Sequence, residues 1–270
     1  LAAIAIHLCI GSVYSWSIFN PALTKTIGGV ASSSRDWDLD SVVVIFSIAI
    51  VCLGLAAAFA GKWLEKVGPR MVGVVAACLW GGGFIVGGIG IVLHELWLLY
   101  LGYGVLGGCG LGLGYVSPVS TLIRWFPDRR GMATGMAIMG FGGGAMIGAP
   151  LKEFLIKTFY EAPTYLGAAE SVNLITESGK RFAETASGLQ EVVVITASDV
   201  AKMIVPGPEG VYLAGTGDAG VAGAFFTLGV LYFAVMMIAA FSFRVPKAGW
   251  IPAGWTPPSE DDLKKKMRTT

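Results

Sequence analysis

The stretch Trp97–Ile123, WLLYLGYGVLGGCGLGLGYVSPVSTLI, decides how this chain is read. It runs 27 residues without an Asp, Glu, Lys or Arg, and about 20 apolar residues suffice for a helix to cross roughly 30 Å of hydrocarbon. Within it Gly102, Gly104 and Gly107 spell G-x-G-x-x-G, and Asp128 lies near the distance at which a dinucleotide fold places its ribose-binding acid. That fingerprint needs a preceding strand and a βαβ unit, whereas here charge-free sequence continues on both sides. A helix face explains the glycines better. Gly104, Gly108 and Gly112 recur every four residues, as do Gly140, Gly144 and Gly148, so each set lets a neighbouring backbone approach closely. Spacing alone does not separate a static contact from a sliding one.

Working outward, five more windows lack charge: Leu1–Phe19, Ser41–Ala60, Met71–Leu93, Gly131–Leu151 and Val221–Phe243, of 19, 20, 23, 21 and 23 residues. The whole chain of 270 residues is 54% hydrophobic and 14% charged, where a soluble domain carries about 25% charge. The runs are continuous, without the alternation of barrel strands, and lipid demands that backbone hydrogen bonds close within each segment. The expected fold is an all-α membrane protein, a bundle of six transmembrane helices. Residues 1–151 hold helices one to five, 152–220 a long extracytoplasmic insert, 221–243 helix six, and 244–270 a cytoplasmic segment.

Orientation follows from the short loops. Lys62, Lys66, Arg70, Arg124, Arg129 and Arg130, with Arg244, Lys247, Lys264, Lys265, Lys266 and Arg268 of the tail, fall on one side, against Lys25 and Arg35 on the other. Both ends are therefore expected in the cytoplasm, with the plasma membrane as the expected location. The net charge of +1 offers no basic surface for nucleic acid. Cys9, Cys52, Cys78 and Cys109 stand singly, which suggests neither a disulfide framework nor a zinc site. No metal or cofactor is expected. The chain opens on Leu1 inside an apolar run, so its native start is expected upstream, and no basic leader marks a cleavable signal.

The insert is the one candidate for an extramembrane subdomain, either a small cap or a partly disordered loop. Glu191–Thr196 has strand-like content, Ser198–Met203 reads as a short helix capped by Ser198, and Pro206-Gly207-Pro208 signals a turn.

Two loops carry more than topology. Gly61-Lys62-Trp63-Leu64-Glu65-Lys66-Val67-Gly68-Pro69-Arg70 sets an acid and three bases between two glycines in the link between spans two and three. A solvated hairpin explains Lys62 and Lys66 but does not require Glu65 there. Arg124-Trp125-Phe126-Pro127-Asp128-Arg129-Arg130-Gly131 places Trp125 at an interface, stops span four at Pro127, and offers Asp128 as a cap for span five. The first loop resembles the G-x-x-x-D-R-x-G-R signature of the major facilitator superfamily, with Glu65 for Asp and Lys66 for Arg. With the second loop, Gly11–Phe19 (GSVYSWSIF) and the glycine-rich start of span five, the chain is similar to the oxalate/formate antiporter branch of that superfamily. The likeness covers all six spans and stops at the insert.

The resemblance implies a twelve-helix transporter, of which this chain supplies the first six-helix half. Six further spans are then expected beyond Thr270. It also implies that Gly61, Glu65, Lys66, Gly68, Arg70 and Arg124 form a cytoplasmic gate, Arg124 pairing with Glu65. The cations that hold substrate carboxylates would come largely from the second half, which fits charge-free spans here. Tyr14 and Tyr115 match cavity tyrosines of the family. Phe141 stands where the antiporter pattern has tyrosine, a lost hydroxyl that leaves oxalate itself open as the substrate.

On span one, His7, Gly11 and Tyr14 share a face at i, i+4 and i+7. An intramembrane histidine is a functional suspect, set against the plainer reading that it bonds a neighbouring helix. Ser117, Ser120 and Thr121 are candidates to bridge helices, Met132, Met136, Met139 and Met146 read as core filler, and Trp16 as an interface anchor. The function this supports is alternating-access carriage of a small carboxylate, by exchange or with protons. The alternatives are a proton-linked monocarboxylate symporter and, from another class, a membrane sensor that uses the insert. No H-E-x-x-H or G-x-S-x-G occurs, and no aspartate lies in a span, so an enzyme is not expected.

Overall fold

In the computed structural model, residues 1–247, 249–252 and 254–256 are described. Lys264, Lys265, Lys266 and Arg268, counted above for orientation, and most of the expected cytoplasmic segment lie outside the described residues. Four helices are long and apolar enough to cross a membrane, and the apolar stretch Ala2–Ile18 is shorter. Helix α1, Ala2–Gly11, tightens into a 3-10 turn over Ser12–Ile18 and is followed by α2, Asn20–Leu23. Ser15 breaks the helical path there, at φ −96° and ψ 28°, in the sparsely allowed bridge region.

Helix α3, Leu39–Val92, has 54 residues, about 81 Å if straight and far more than a bilayer core needs. It breaks at Gly68, whose φ of 81° and ψ of 162° suit glycine, immediately before Pro69. The chain reverses at that point. Helix α4, Leu96–Leu99, passes through a π-wound segment, Tyr100–Gly107, into α5, Gly108–Trp125. Along it Gly104, Gly108 and Gly112 meet Ile48, Ala49 and Leu53 in rising order, whereas Gly102 and Gly110 meet Gly87 and Trp80 in falling order. The α4–α5 helix is thus parallel to the first arm of α3 and antiparallel to the second. A side chain at these glycines has no room: a Cβ on Gly112 would lie 2.5 Å from the Leu53 carbonyl oxygen.

Helix α6, Arg130–Phe159, runs parallel to α1, with Gly140 against Ile4 and His7, Gly144 against Leu8 and Gly11, and Gly148 against Ser12. The helix does not end at Leu151. It continues for two more turns, so Lys152 belongs to the bundle and not to the insert. Helix α6 starts after Arg129, without a side-chain cap. Asp128, expected to cap it, instead pairs with Arg129 at 3.4 Å. Helix α8, Val221–Phe241, packs antiparallel on the second arm of α3, with Ala240 by Gly73, Phe233 by Gly81 and Phe225 by Gly87.

The core between these helices is aromatic. Trp16, Phe19, Trp80, Phe84, Tyr103, Phe225 and Tyr232 are buried, with ring centroids such as Trp16–Tyr103 at 4.5 Å and Phe84–Phe225 at 5.1 Å. Trp16 is therefore a core residue, not the expected interface anchor: the 3-10 turn directs it inward. Met132, Met136, Met139 and Met146 are exposed on this chain, so they do not fill its core either.

The insert is folded. Strands β1 (Tyr160–Glu161) and β7 (Asp218–Ala219) pair at its base. Above them β2 (Tyr165–Gly167), β3 (Leu174–Glu177), β4 (Lys180–Thr185), β5 (Gly188–Ile195) and β6 (Gly210–Leu213) form an antiparallel sheet in the order β2-β6-β5-β4-β3. The short helix α7, Ala197–Val200, starts after Thr196 in place of Ser198. Thr196 Oγ1 donates to Asp199 Oδ2 at 2.6 Å, and this bond first, then Lys202, holds the Asp199 carboxyl below its ordinary value. The sheet rests on the loop before α3. Val30 is buried among Val193, Ile195, Met203 and Tyr212, Ser34 Oγ donates to Glu191 at 2.6 Å, and the Lys25 amine donates to the Lys202 carbonyl. Burial there, with the Lys202 charge, lowers the Lys25 amine from its usual value.

Candidate functional site

His7 on α1, Tyr14 in the 3-10 turn, Tyr115 on α5 and Phe141 on α6 meet as four rings around Phe141. Tyr14 and Tyr115 stand edge-on to Phe141 at 5.1 and 5.3 Å, His7 stacks on Tyr115 at 5.5 Å, and His7 lies 6.1 Å from Phe141. Gly11 makes the meeting possible, because a Cβ there would overlap the Phe141 carbonyl oxygen. Sequence spacing had put His7, Gly11 and Tyr14 on one face. The partners from α5 and α6 reach it through the glycine contacts of the bundle.

The four side chains differ in access. Tyr14 is 52% exposed, whereas His7 is 0% exposed. Both nitrogens of His7 face carbonyl oxygens, Nδ1 to Ala137 at 2.5 Å and Nε2 to Tyr115 at 3.3 Å. Carbonyls only accept, and a neutral imidazole donates once, so in the neutral ring one of the two carbonyls goes without a donor from His7. Tyr115 opens onto a groove of about 360 Å³ that passes Ser120 and Ile123 and ends at Arg124. Thr121 and Ser117 do not bridge helices by their hydroxyls: Thr121 Oγ1 returns to the Ser117 carbonyl of its own helix at 2.8 Å, and Ser117 Oγ has no partner among the described residues.

At the bundle end opposite the insert, the gate candidates lie around the α3 reversal. Gly61, Glu65, Lys66 and Arg70 are exposed and Gly68 forms the break. The expected Glu65–Arg124 pair is not formed, and among the described residues neither joins an ion pair. Arg70 instead donates to the Phe243 carbonyl at 3.2 Å, and Trp125 Nε1 to that of Arg244 at 2.7 Å. Both loops thus tie to the chain leaving α8, which sequence spacing gave no means of locating.

Sequence reasoning also missed Lys152. Its side chain is 0% exposed, Nζ donates to the Ser12 carbonyl at 2.7 Å and lies 4.8 Å from the Phe19 ring centroid. The signal was present: one more four-residue step along Gly140, Gly144 and Gly148 reaches Lys152. The expectation of charge-free spans is corrected accordingly. Among the described residues no three His, Cys, Asp or Glu side chains gather as metal ligands.

Comparison with known proteins agrees with this architecture. The family model of the Major Facilitator Superfamily matches residues 7–172. The chain is 32% identical over 203 residues to the MFS-type transporter YhjX of Escherichia coli, a match covering 71% of this chain and 47% of that protein. It is 28% identical over 162 residues to the oxalate:formate antiporter of Oxalobacter formigenes (58% and 35%) and 25% identical over 190 residues to apicoplast pyruvate carrier 1 of Toxoplasma gondii (60% and 35%). The chain thus spans less than half the length of these relatives. With a matching family model over more than half of its residues and apolar helices of membrane-crossing length, the chain is an integral multi-pass membrane protein and belongs to the Major Facilitator Superfamily, whose members are transporters and not enzymes.

Proposed function

We propose that the whole protein is a secondary active transporter of small organic anions, carboxylates above all, and that this segment is its first six-helix half. The six spans are α1 with its 3-10 turn, the two arms of α3, α4–α5, α6 and α8, with both ends in the cytoplasm, the insert outside and the plasma membrane as the location. A second six-helix half completes the passage, and the two halves rock about a midplane site. The observation that carries the reading is the ring cluster. Tyr14 presents a half-exposed phenol on a rigid aromatic base, a group that donates to a carboxylate while its ring packs. His7 beside it sets both ring nitrogens against main-chain carbonyls and stacks on Tyr115. Two relatives, an oxalate:formate antiporter and a pyruvate carrier, point by name to the same substrate class.

The burial of an ionisable ring, His7, beside the two tyrosines also favours a second reading, proton-linked monocarboxylate symport, in which the histidine carries the coupled proton. The gate candidates Gly61, Glu65, Lys66, Gly68, Arg70 and Arg124 would then close the cytoplasmic mouth in either mode. The test is uptake by the full-length protein in proteoliposomes, using oxalate, formate and pyruvate, with and without a pH gradient. Counterflow without a gradient supports exchange, and acceleration by an inward proton gradient supports symport. Uptake of none of the three would remove the carboxylate assignment.

A further inference from the structure

We infer that Lys152 is a positioning residue, which sets the break in helix one and thereby the placement of Tyr14. Three observations meet here. Lys152 is wholly buried, and among the described residues it makes one hydrogen bond, to the Ser12 carbonyl, and no ion pair. A buried ammonium with no carboxylate is costly to maintain, so its retention needs a reason other than packing. The acceptor is the second. Ser12 stands where α1 tightens into the 3-10 turn, and its carbonyl also receives Ser15 Oγ at 2.8 Å, from the residue whose dihedrals leave the helical region. Lys152 therefore bonds the junction itself.

The third is direction. Helical side chains lean toward the N-terminus of their own helix, so the Lys152 stem points away from the insert end and back into the bundle. A lysine five residues further on behaves in the opposite way: Lys157 is exposed. The Phe19 ring covers the ammonium from the far end of the turn, so both ends of the 3-10 segment touch one side chain. Tyr14 lies between them, two residues after Ser12. Held in this way, its ring meets Phe141 edge-on. Released, helix one regains the freedom to wind regularly, which rotates Tyr14 off Phe141.

The inference rests on the proposed carrier function for its consequence, but its geometry is measurable without transport. Spin labels at Ser17, on the turn, and at Val92, at the same end of the second α3 arm, are placed in the full-length protein with its native cysteines replaced, Cys9, Cys52, Cys78 and Cys109 among them. Lys152→Met is expected to shift the Ser17–Val92 distance distribution, and Lys157→Met to leave it as in wild type. In proteoliposomes Lys152→Met is expected to raise the KM for a carboxylate at least tenfold with maximal uptake changed less than threefold, since it displaces the donor at Tyr14. Should Lys152→Met fail to accumulate, Lys152→Gln serves, since its side chain is one atom too short to reach Ser12 from the same backbone, and the same shift is expected. An unchanged distribution overturns the inference. So does a raised KM with an unchanged distribution, which would mean direct contact with substrate. If wild type moves no carboxylate, the functional proposal fails while the distance result stands by itself.

Discussion

Single side chains in the ring cluster carry separable roles. Among the described residues the half-exposed Tyr14 hydroxyl has no hydrogen-bond partner, so it can donate to an anion, and a hydrogen bond to a charged group contributes about 1.5–3 kcal/mol. Tyr14→Phe should therefore raise KM for a carboxylate roughly tenfold or more and leave the fold intact, as initial uptake rates across substrate concentration would record. Phe141 touches both tyrosines and His7 but has no donor. His7→Gln keeps an amide donor and removes the ability to take up a proton. If His7 couples protons, the variant should keep counterflow and lose acceleration by a pH gradient. Equal acceleration in wild type and variant would exclude it. His7, Gly11, Tyr115 and Phe141 were nameable from spacing and resemblance because each sits on an α-helix, and Tyr14 because the 3-10 turn that carries it continues α1 directly. Lys152 was not, because a lysine after an apolar run looks like the run's end, and only the course of α6 shows that it turns inward.

Among the elements, glycine stripes set helix separation. Gly112 and Gly144 meet the backbones of Leu53 and Leu8 so closely that a Cβ would lie 2.5 Å from a carbonyl oxygen in each case. Overpacking of this kind costs about 1–3 kcal/mol, so Gly112→Val should lower the thermal unfolding midpoint of the detergent-solubilised protein by several degrees. Gly142 has nothing within 4 Å of a Cβ, and Gly142→Ala should leave the midpoint unchanged or slightly raised, since alanine restricts the unfolded chain. A shift of equal size in both variants would contradict the packing argument. The stripes were visible as four-residue spacing, but their partners were not, since any two stripes can face one another. The α3 break was hinted at by Gly68-Pro69, whereas the register of α4–α5 against both arms required the assembled bundle.

For the whole molecule, the insert and the helices form two hydrophobic systems joined at the loop before α3. The aromatic core belongs to the helices, and a smaller cluster around Val30 fastens the sheet. Because β1 and β7 bring Tyr160 opposite Ala219, a short linker can replace the strands between them. Such a deletion should preserve carboxylate KM within about threefold, given that the ring cluster lies outside the insert, and should lower thermal stability by uncovering Val30. Loss of all transport from correctly inserted protein would instead make the insert part of the transport machinery.

The absence of charge from long apolar windows determined by itself that this is a membrane protein, because a helix that crosses hydrocarbon tolerates few charges along its length. What only the tertiary structure decided are the facts that depend on which surfaces face each other: the sheet in the insert, the inward turn of Trp16, the unformed Glu65–Arg124 pair, and the burial of Lys152. Local sequence records the periodicity of each helix, but the rotation of one helix about another is set by side-chain packing summed over the bundle, and no single segment contains that sum.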